Sequence, residues 1–333
     1  MEITTPSYYH QFKCIAGICP DSCCKEWDVQ VDAAAAAYYR TLPGVLGDRL
    51  RQVLRDTEDG TVMVTEDGRC PMWRQDGLCR IQAELGEEAL CRTCREFPRL
   101  IHDFGNFAER QLELSCPEAA RLILDDTAAQ FTVQQISGEE TPEYDQEAMD
   151  VLRRTRDTAF SILSDTDRPV GEVLTLLLMY GYQAQGELDG EEPTFFNKEA
   201  VLEEATQFAQ ASDLVDLLVF FQQLEILTPD WLEMLQNPAE GTYRQSQLLA
   251  LARYGVLRYW LQAISDYDLV SRVKLILVSC LVVHGLGGDI YRTAQLFSKE
   301  IENDADNVDA ILDAAYTHPA FTDARLLYWL RNI

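Results

Sequence analysis

Nine of the ten cysteines in this 333-residue chain fall between Cys14 and Cys116, and that crowding restricts its fold more than any other feature. Cys14, Cys19, Cys23 and Cys24 read C-x4-C-x3-C-C. Cys70 and Cys79 follow as C-P-M-W-x5-C, Cys91 and Cys94 as C-x2-C, and Cys116 closes the series just before Pro117. The roughly two hundred residues beyond contain Cys280 and no other cysteine. A disulfide scaffold would spread its half-cystines through a small secreted domain, whereas clustered thiols in a large chain point to metal or redox chemistry.

The spacing sets further terms. A C-x2-C turn can direct both sulfurs at one ion. Successive side chains tend to diverge, so Cys23 and Cys24 are hard to place on one tetrahedral ion. Four thiolates saturate a zinc ion or a cubane cluster, so nine allow two sites, or one site with spare cysteines packed as small hydrophobes. Structural zinc modules usually show two compact paired knuckles, and here Cys91–Cys94 alone has that form. Scattered ligands and the Cys116-Pro117 step favour an iron–sulfur cluster, 4Fe-4S above all, with zinc as the alternative. The radical-enzyme spacing C-x3-C-x2-C does not occur.

The chain's grammar changes along its length. Up to about residue 136 it is irregular. Thr61 to Thr65 and the Glu66-Asp67-Gly68 run predict a strand and a turn. Short helices are expected over Asp32 to Tyr39, Asp48 to Asp56 and Gln82 to Arg95, the last delivering Cys91 and Cys94. Beyond residue 140 apolar residues recur at helical spacing, as in Met149, Leu152, Ala159 and Leu163. Further helices are expected over 173–182, 198–211, 214–227, 242–264, 269–284, 290–305, 308–316 and 323–330. The polar, breaker-rich Ser137 to Pro142 reads as the linker. The expectation is a mostly α chain: an irregular α+β cysteine-rich metal-binding module at 1–136, then an all-α helical domain at 143–333.

Charge narrows the partners. Residues 1–125 carry 14 Lys and Arg against 21 Asp and Glu, while residues 126–333 carry 14 against 34, giving net charges of −7 and −20. Such a surface repels phosphate backbones, which argues against nucleic acid, and attracts basic partners. No apolar run approaches the roughly 20 residues that span a bilayer, and the N-terminal stretch has no basic n-region or apolar run, so no membrane partner and a cytoplasmic location are expected.

Several runs together resemble the flagellin lysine-N-methylase family, with its zinc- or iron-chelating cysteine domain. They are Phe12-Lys13-Cys14-Ile15-Ala16, Cys19-Pro20-Asp21-Ser22-Cys23-Cys24 with Trp27, and Asp76-Gly77-Leu78-Cys79-Arg80-Ile81-Gln82 with Glu84-Leu85-Gly86. Cys91-Arg92-Thr93-Cys94-Arg95-Glu96-Phe97-Pro98-Arg99 and Leu114-Ser115-Cys116-Pro117-Glu118 complete the set. The marked portion covers residues 8 to about 124. The resemblance implies an enzyme that transfers methyl groups from S-adenosylmethionine to surface lysines of flagellin, or of another lysine-bearing protein. The rival readings are a non-catalytic iron–sulfur or zinc protein that binds a basic partner, and a redox carrier or sensor.

The residues themselves supply little for methyl transfer, which needs a neutral amine and an in-line sulfonium. No G-x-G-x-x-G run marks a Rossmann-type cofactor site, and Gly285-Leu286-Gly287-Gly288 reads as a helix stop. Catalytic candidates are Tyr9 and His10, which could line a lysine channel, with aromatic packing as the plainer role. Glu96 and Arg99 could form an ion pair behind the ligands. His102 could accept a proton or ligate. His284 and His318 are expected at helix ends, and Cys280 in the core.

Overall fold

The computed structural model describes residues 1–58, 60–127, 130–136 and 142–333. The strands are β1 (Glu2–Pro6), β2 (Val29–Val31), β3 (Leu54–Thr57), β4 (Gly60–Met63), β5 (Arg99–Asp103), β6 (Phe107–Leu112) and β7 (Phe131–Gln135). The linker run Ser137 to Thr141 lies outside the described residues.

The smaller of two cores forms around the antiparallel sheet β2-β4-β3. Two helices, Ala33–Thr41 and Gly44–Val53, cover it, burying Tyr39, Leu46, Leu50 and Val53 against Val29, Val31 and Met63. Asp32 starts the first helix by accepting from the Ala35 amide at 3.0 Å. The second helix begins at Gly44 behind Pro43, so Asp48 lies inside it and caps nothing. The turn predicted after Thr65 closes through a Glu66–Arg69 bridge, with Asp67 and Gly68 both at positive φ. The single helix expected over Gln82 to Arg95 is two, Arg80–Leu85 and Arg92–Glu96, with a 3-10 turn between them. Gly86 at φ 89° breaks the run, a backbone conformation that a helix cannot continue through.

The second sheet, β5-β6-β1-β7, joins distant parts of the chain. β1 pairs in parallel with β6 and antiparallel with β7. Its inner face, with Tyr8, Phe12 and the Pro117–Asp125 helix, packs into the core of the helical body. Glu109 of β6 is fixed there by Arg156 of the Gln146–Leu163 helix, through bonds of 2.7 and 2.5 Å. Both side chains are buried, and the fork-to-fork geometry offsets their loss of water.

The helical body centres on Leu269–Leu286, which Asp268 caps through the Ser271 amide. By length and composition this segment could cross a membrane, contrary to the expectation that no apolar run approaches such a span; 89% of it is buried inside the fold, as befits a core helix. Lys274 within it is buried, yet its ammonium reaches the Ala315 and Phe321 carbonyls and Asp323. The helix expected over 290–305 is Ile290–Phe297 followed by a π-helical turn, Ser298–Glu302. The run expected over 242–264 is Gln245–Tyr259 with a 3-10 extension, Trp260–Ser265. Gly287 permits close packing: a Cβ there would stand 1.9 Å from the Ala239 carbonyl oxygen, so the Gly285 to Gly288 run is explained as a helix stop on a backbone contact.

Candidate metal centre

The cysteines arrive on short elements whose ends face one another. Cys79, Cys91 and Cys116 occupy the N-cap positions of the helices Arg80–Leu85, Arg92–Glu96 and Pro117–Asp125. None of the three closes a cap hydrogen bond, but backbone amides near each sulfur favour its thiolate. Asp32 couples two of these elements. Its carboxylate accepts from the Arg92 amide at 2.8 Å as well as from Ala35, and these bonds hold its pKa below the usual range. The Cys70 amide donates to the Cys24 carbonyl at 2.8 Å, so the two loops that carry these residues run side by side.

Neighbouring thiols shift one another's titration in two groups. The bond to Cys24 and then burial raise the Cys23 thiol. Its bond to Cys23 pulls the Cys24 thiol down, but the bond to Cys70 and burial carry it up to about 12. Cys70, at the end of that sequence, is lowered by the Cys24 bond despite its burial. In the other pair, Cys91 is lowered to about 7 by its hydrogen bond with Cys94, which is raised in turn. Burial raises Cys19 and Cys79, and takes Cys116 to about 12. Two buried sulfurs, Cys70 and Cys91, are thus lowered from the ordinary thiol value, within a group whose remaining protons a cation would displace.

Packing separates the nine. Cys70 and Cys91 are buried in the smaller core, and Cys24, Cys79 and Cys94 pack against it. Cys116 packs against the core of the helical body. Cys14 and Cys23 are exposed and Cys19 is half-buried. Cys19 lies within electrostatic range of Cys14 and Cys23, and Cys116 within range of Cys19 and Cys23. Among the described residues no group of three or more His, Cys, Asp or Glu side chains has closed to metal-binding distances. The donor set nonetheless fits a thiophilic metal in its chemistry: the donors are soft sulfurs, with backbone amides near several of them.

The loop between Cys19 and Cys23 is clamped to the helical body by Asp21, which the sequence did not single out as functional. Asp21 accepts from Lys25 at 3.2 Å, Arg292 at 3.4 Å, Gln295 at 3.1 Å and Lys299 at 3.3 Å. Although burial opposes its charge, Lys299 and Lys25 with the Ser22 amide hold its pKa down at about 2. The Gln295 amide also donates to the Ser115 carbonyl, one residue before Cys116, at 2.9 Å. Arg292, Gln295 and Lys299 lie more than 270 positions away, so no local pattern could reveal them.

The other candidates fall elsewhere. Tyr9 and His10 stack edge to face at 5.5 Å beside the second sheet. Glu96 faces Arg92 at 3.9 Å, while the Arg99 guanidinium lies 5.1 Å from the centre of the Phe12 ring, so the expected Glu96–Arg99 pair is not formed. His102 lies on β5 with its Nε2 2.6 Å from the Gln111 amide nitrogen. Burial, and then Arg258, bring its pKa down to about 4. His318 accepts from the Ala320 amide at a helix start, His284 meets the Tyr243 hydroxyl, and Cys280 is buried in its helix.

These features define a class: a cysteine-rich module held by buried polar contacts against an acidic helical body. The chain is 32% identical over 134 residues to the "Flagellar biosynthetic protein FliU" of Salmonella muenchen, an alignment covering 38% of this chain and 79% of that protein. It is also 32% identical over 134 residues to a "Lysine-N-methylase" of Salmonella typhimurium, and 30% identical over 140 residues to a second from Salmonella choleraesuis. It belongs to the flagellin lysine-N-methylase family. Each alignment with the two methylases covers 38% of this chain and 33% of theirs, so the chain matches about a third of their length. No family model matches the sequence, and no solved structure matches it.

Proposed function

We propose that this protein takes part in the S-adenosylmethionine-dependent N-methylation of lysines on flagellin, and that its N-terminal cysteines hold an iron–sulfur cluster, or zinc, on which that activity depends. The observation that carries the metal half is the convergence of Cys24, Cys70, Cys79, Cys91 and Cys94 on one small core, with Cys70 and Cys91 held toward the thiolate. Thiolates of this kind would hold the metal, and the metal would fold the module and stabilise charge beside it. The methyl-transfer half rests on the family and on charge. A net −20 over residues 126–333 attracts lysine-rich surfaces, an attraction that weakens as salt rises. The same carboxylates keep a nearby lysine protonated and unreactive, so the acidic body docks the acceptor while the amine reacts in a less acidic place.

The test is anaerobic purification followed by metal and acid-labile sulfide analysis, then mass spectrometry of flagellin incubated with the metal-replete protein and S-adenosylmethionine. Methyl-lysine is expected, and metal-stripped protein should make none. Replete protein that neither binds S-adenosylmethionine nor methylates flagellin would favour a non-catalytic metal protein binding a basic partner. That reading draws on the partial match to the methylases, about a third of their length.

A further inference from the structure

The nine cysteines do not share one environment, and the helical body reaches some of them and not others. Five belong to the small core: Cys24, Cys70, Cys79, Cys91 and Cys94. The other four, Cys14, Cys19, Cys23 and Cys116, lie outside it; Cys116 packs against the helical body, and the Cys19–Cys23 loop meets that body through Asp21. They come from two stretches of chain about a hundred residues apart, and a single side chain ties the two together. Gln295, 1% exposed, donates from one amide nitrogen to Asp21, between Cys19 and Cys23, and to the carbonyl of Ser115, beside Cys116. Lys299 and Arg292 bond the same Asp21 carboxylate from the same side. The loop is also held from the module: Gly77, at φ 78°, lets its backbone approach that of Gly17, where an added Cβ would stand 3.3 Å from the Gly17 Cα. The Cys14 sulfur already accepts a backbone hydrogen bond, from Ala16 at 3.4 Å.

We propose that the module carries two thiolate metal sites, an inner one drawn from Cys24, Cys70, Cys79, Cys91 and Cys94, and an outer one of Cys14, Cys19, Cys23 and Cys116 that the helical body holds in shape through Gln295. The count supports the division, since each group supplies the four thiolates that saturate zinc or a cubane cluster. The neighbours Cys23 and Cys24 then serve different sites, which removes the difficulty of turning adjacent side chains onto one ion. Being adjacent in the chain, they place the two sites next to each other. Gln295 is a positioning residue here: it touches no sulfur, and orients two ligand-bearing loops as outer-shell partners of metals do. The inference rests on the metal reading above, and names the ligands and the shape-holding residue for that metal.

The experiment uses the full chain purified without oxygen. Iron, zinc and acid-labile sulfide are counted per chain in the unaltered protein and in Cys94→Ser, Cys116→Ser and Gln295→Met, with far-UV circular dichroism to confirm folding. Two site equivalents are expected in the unaltered protein. Cys116→Ser should lose one and retain the spectrum of the other, and Cys94→Ser should lose the other one. Gln295→Met keeps every thiol, yet should release the outer metal to a chelator about 10- to 100-fold faster, the usual cost of removing an outer-shell partner. Alkylation read by mass spectrometry should then label Cys14, Cys19, Cys23 and Cys116 ahead of the inner five. Arg156→Met, which weakens the seam elsewhere, is the control for general loosening and should release both metals alike. A single equivalent in the unaltered protein, a Cys116→Ser protein with its full metal, or a Gln295→Met protein labelled evenly would each overturn the two-site reading. Unaltered protein without any metal would instead overturn the metal reading beneath it.

Discussion

In the small core, Cys70 and Cys91 occupy the buried places that leucine, valine and phenylalanine fill in the helical body. The body's central helix is almost wholly buried, and its two basic side chains, Arg272 and Lys274, each meet backbone carbonyls and a carboxylate. The module sets three short strands and two helices of about ten residues around polarisable sulfur, and several of those sulfurs carry protons that burial holds on. A core of branched hydrocarbon is stabilised by the area it removes from water. A small core finished in thiols has less such area, and under the metal reading proposed above a cation replacing those protons would supply the difference. The body should therefore keep its structure under conditions that undo the module.

Metal removal is the strongest way to break that contrast. Structural thiolate sites contribute on the order of 10 kcal/mol to folding. Chelation, or Cys91→Ser, should remove hydrogen-exchange protection from residues 24–96 while the Leu269–Leu286 helix keeps its own. Cys280→Ala, in the body, should leave the metal content unchanged. Equal loss of protection in both regions would show that the two cores fold as one unit.

The seam comes next. Arg156→Met would leave Glu109 charged and buried without a partner, which costs about 3–5 kcal/mol. Denaturant unfolding should show that loss, and the double change Glu109→Leu with Arg156→Leu should restore most of it. If the double variant is no better than the single, the pair does more than neutralise itself.

The smallest effect is acid sensitivity at His102. Its folded pKa is depressed from 6.5 to about 4, so the fold favours the neutral ring. The ring faces the Gln111 amide and the charges of Arg258, Arg156 and Glu109. Stability from this source is fully present above pH 6.5 and is lost as pH falls from 6.5 toward 4, by at most about 3 kcal/mol. Thermal melts of His102→Gln across that window should be flatter than those of the unaltered protein. An identical slope would remove His102 from the account.

Much of this protein could be read along the chain. The helical grammar beyond residue 140, the cap at Asp32 and the turn after Thr65 follow from local rules, because each needs only neighbours within a few positions. The cysteine spacing likewise marks out the N-terminal module, and the motif runs mark the family. The second sheet escaped notice because β1 pairs with β6 and β7, more than a hundred residues away, and β7 is exposed along its length and shows no inward-facing alternation. The break at Gly86 was missed because a helical run of good formers surrounds it.

What the sequence determined by itself was the inventory: where the chain turns from irregular to helical, where the thiols lie, and the sign of its charge. Tertiary structure decided which thiols share a core, that Asp21 is gripped by Arg292, Gln295 and Lys299, and that Gln295 spans two cysteine-bearing loops. The reason is range. Capping and helical periodicity act over one or two turns of chain, whereas a buried amide is satisfied by whatever folding brings within 3 Å of it, and sequence spacing sets no limit on where that partner comes from.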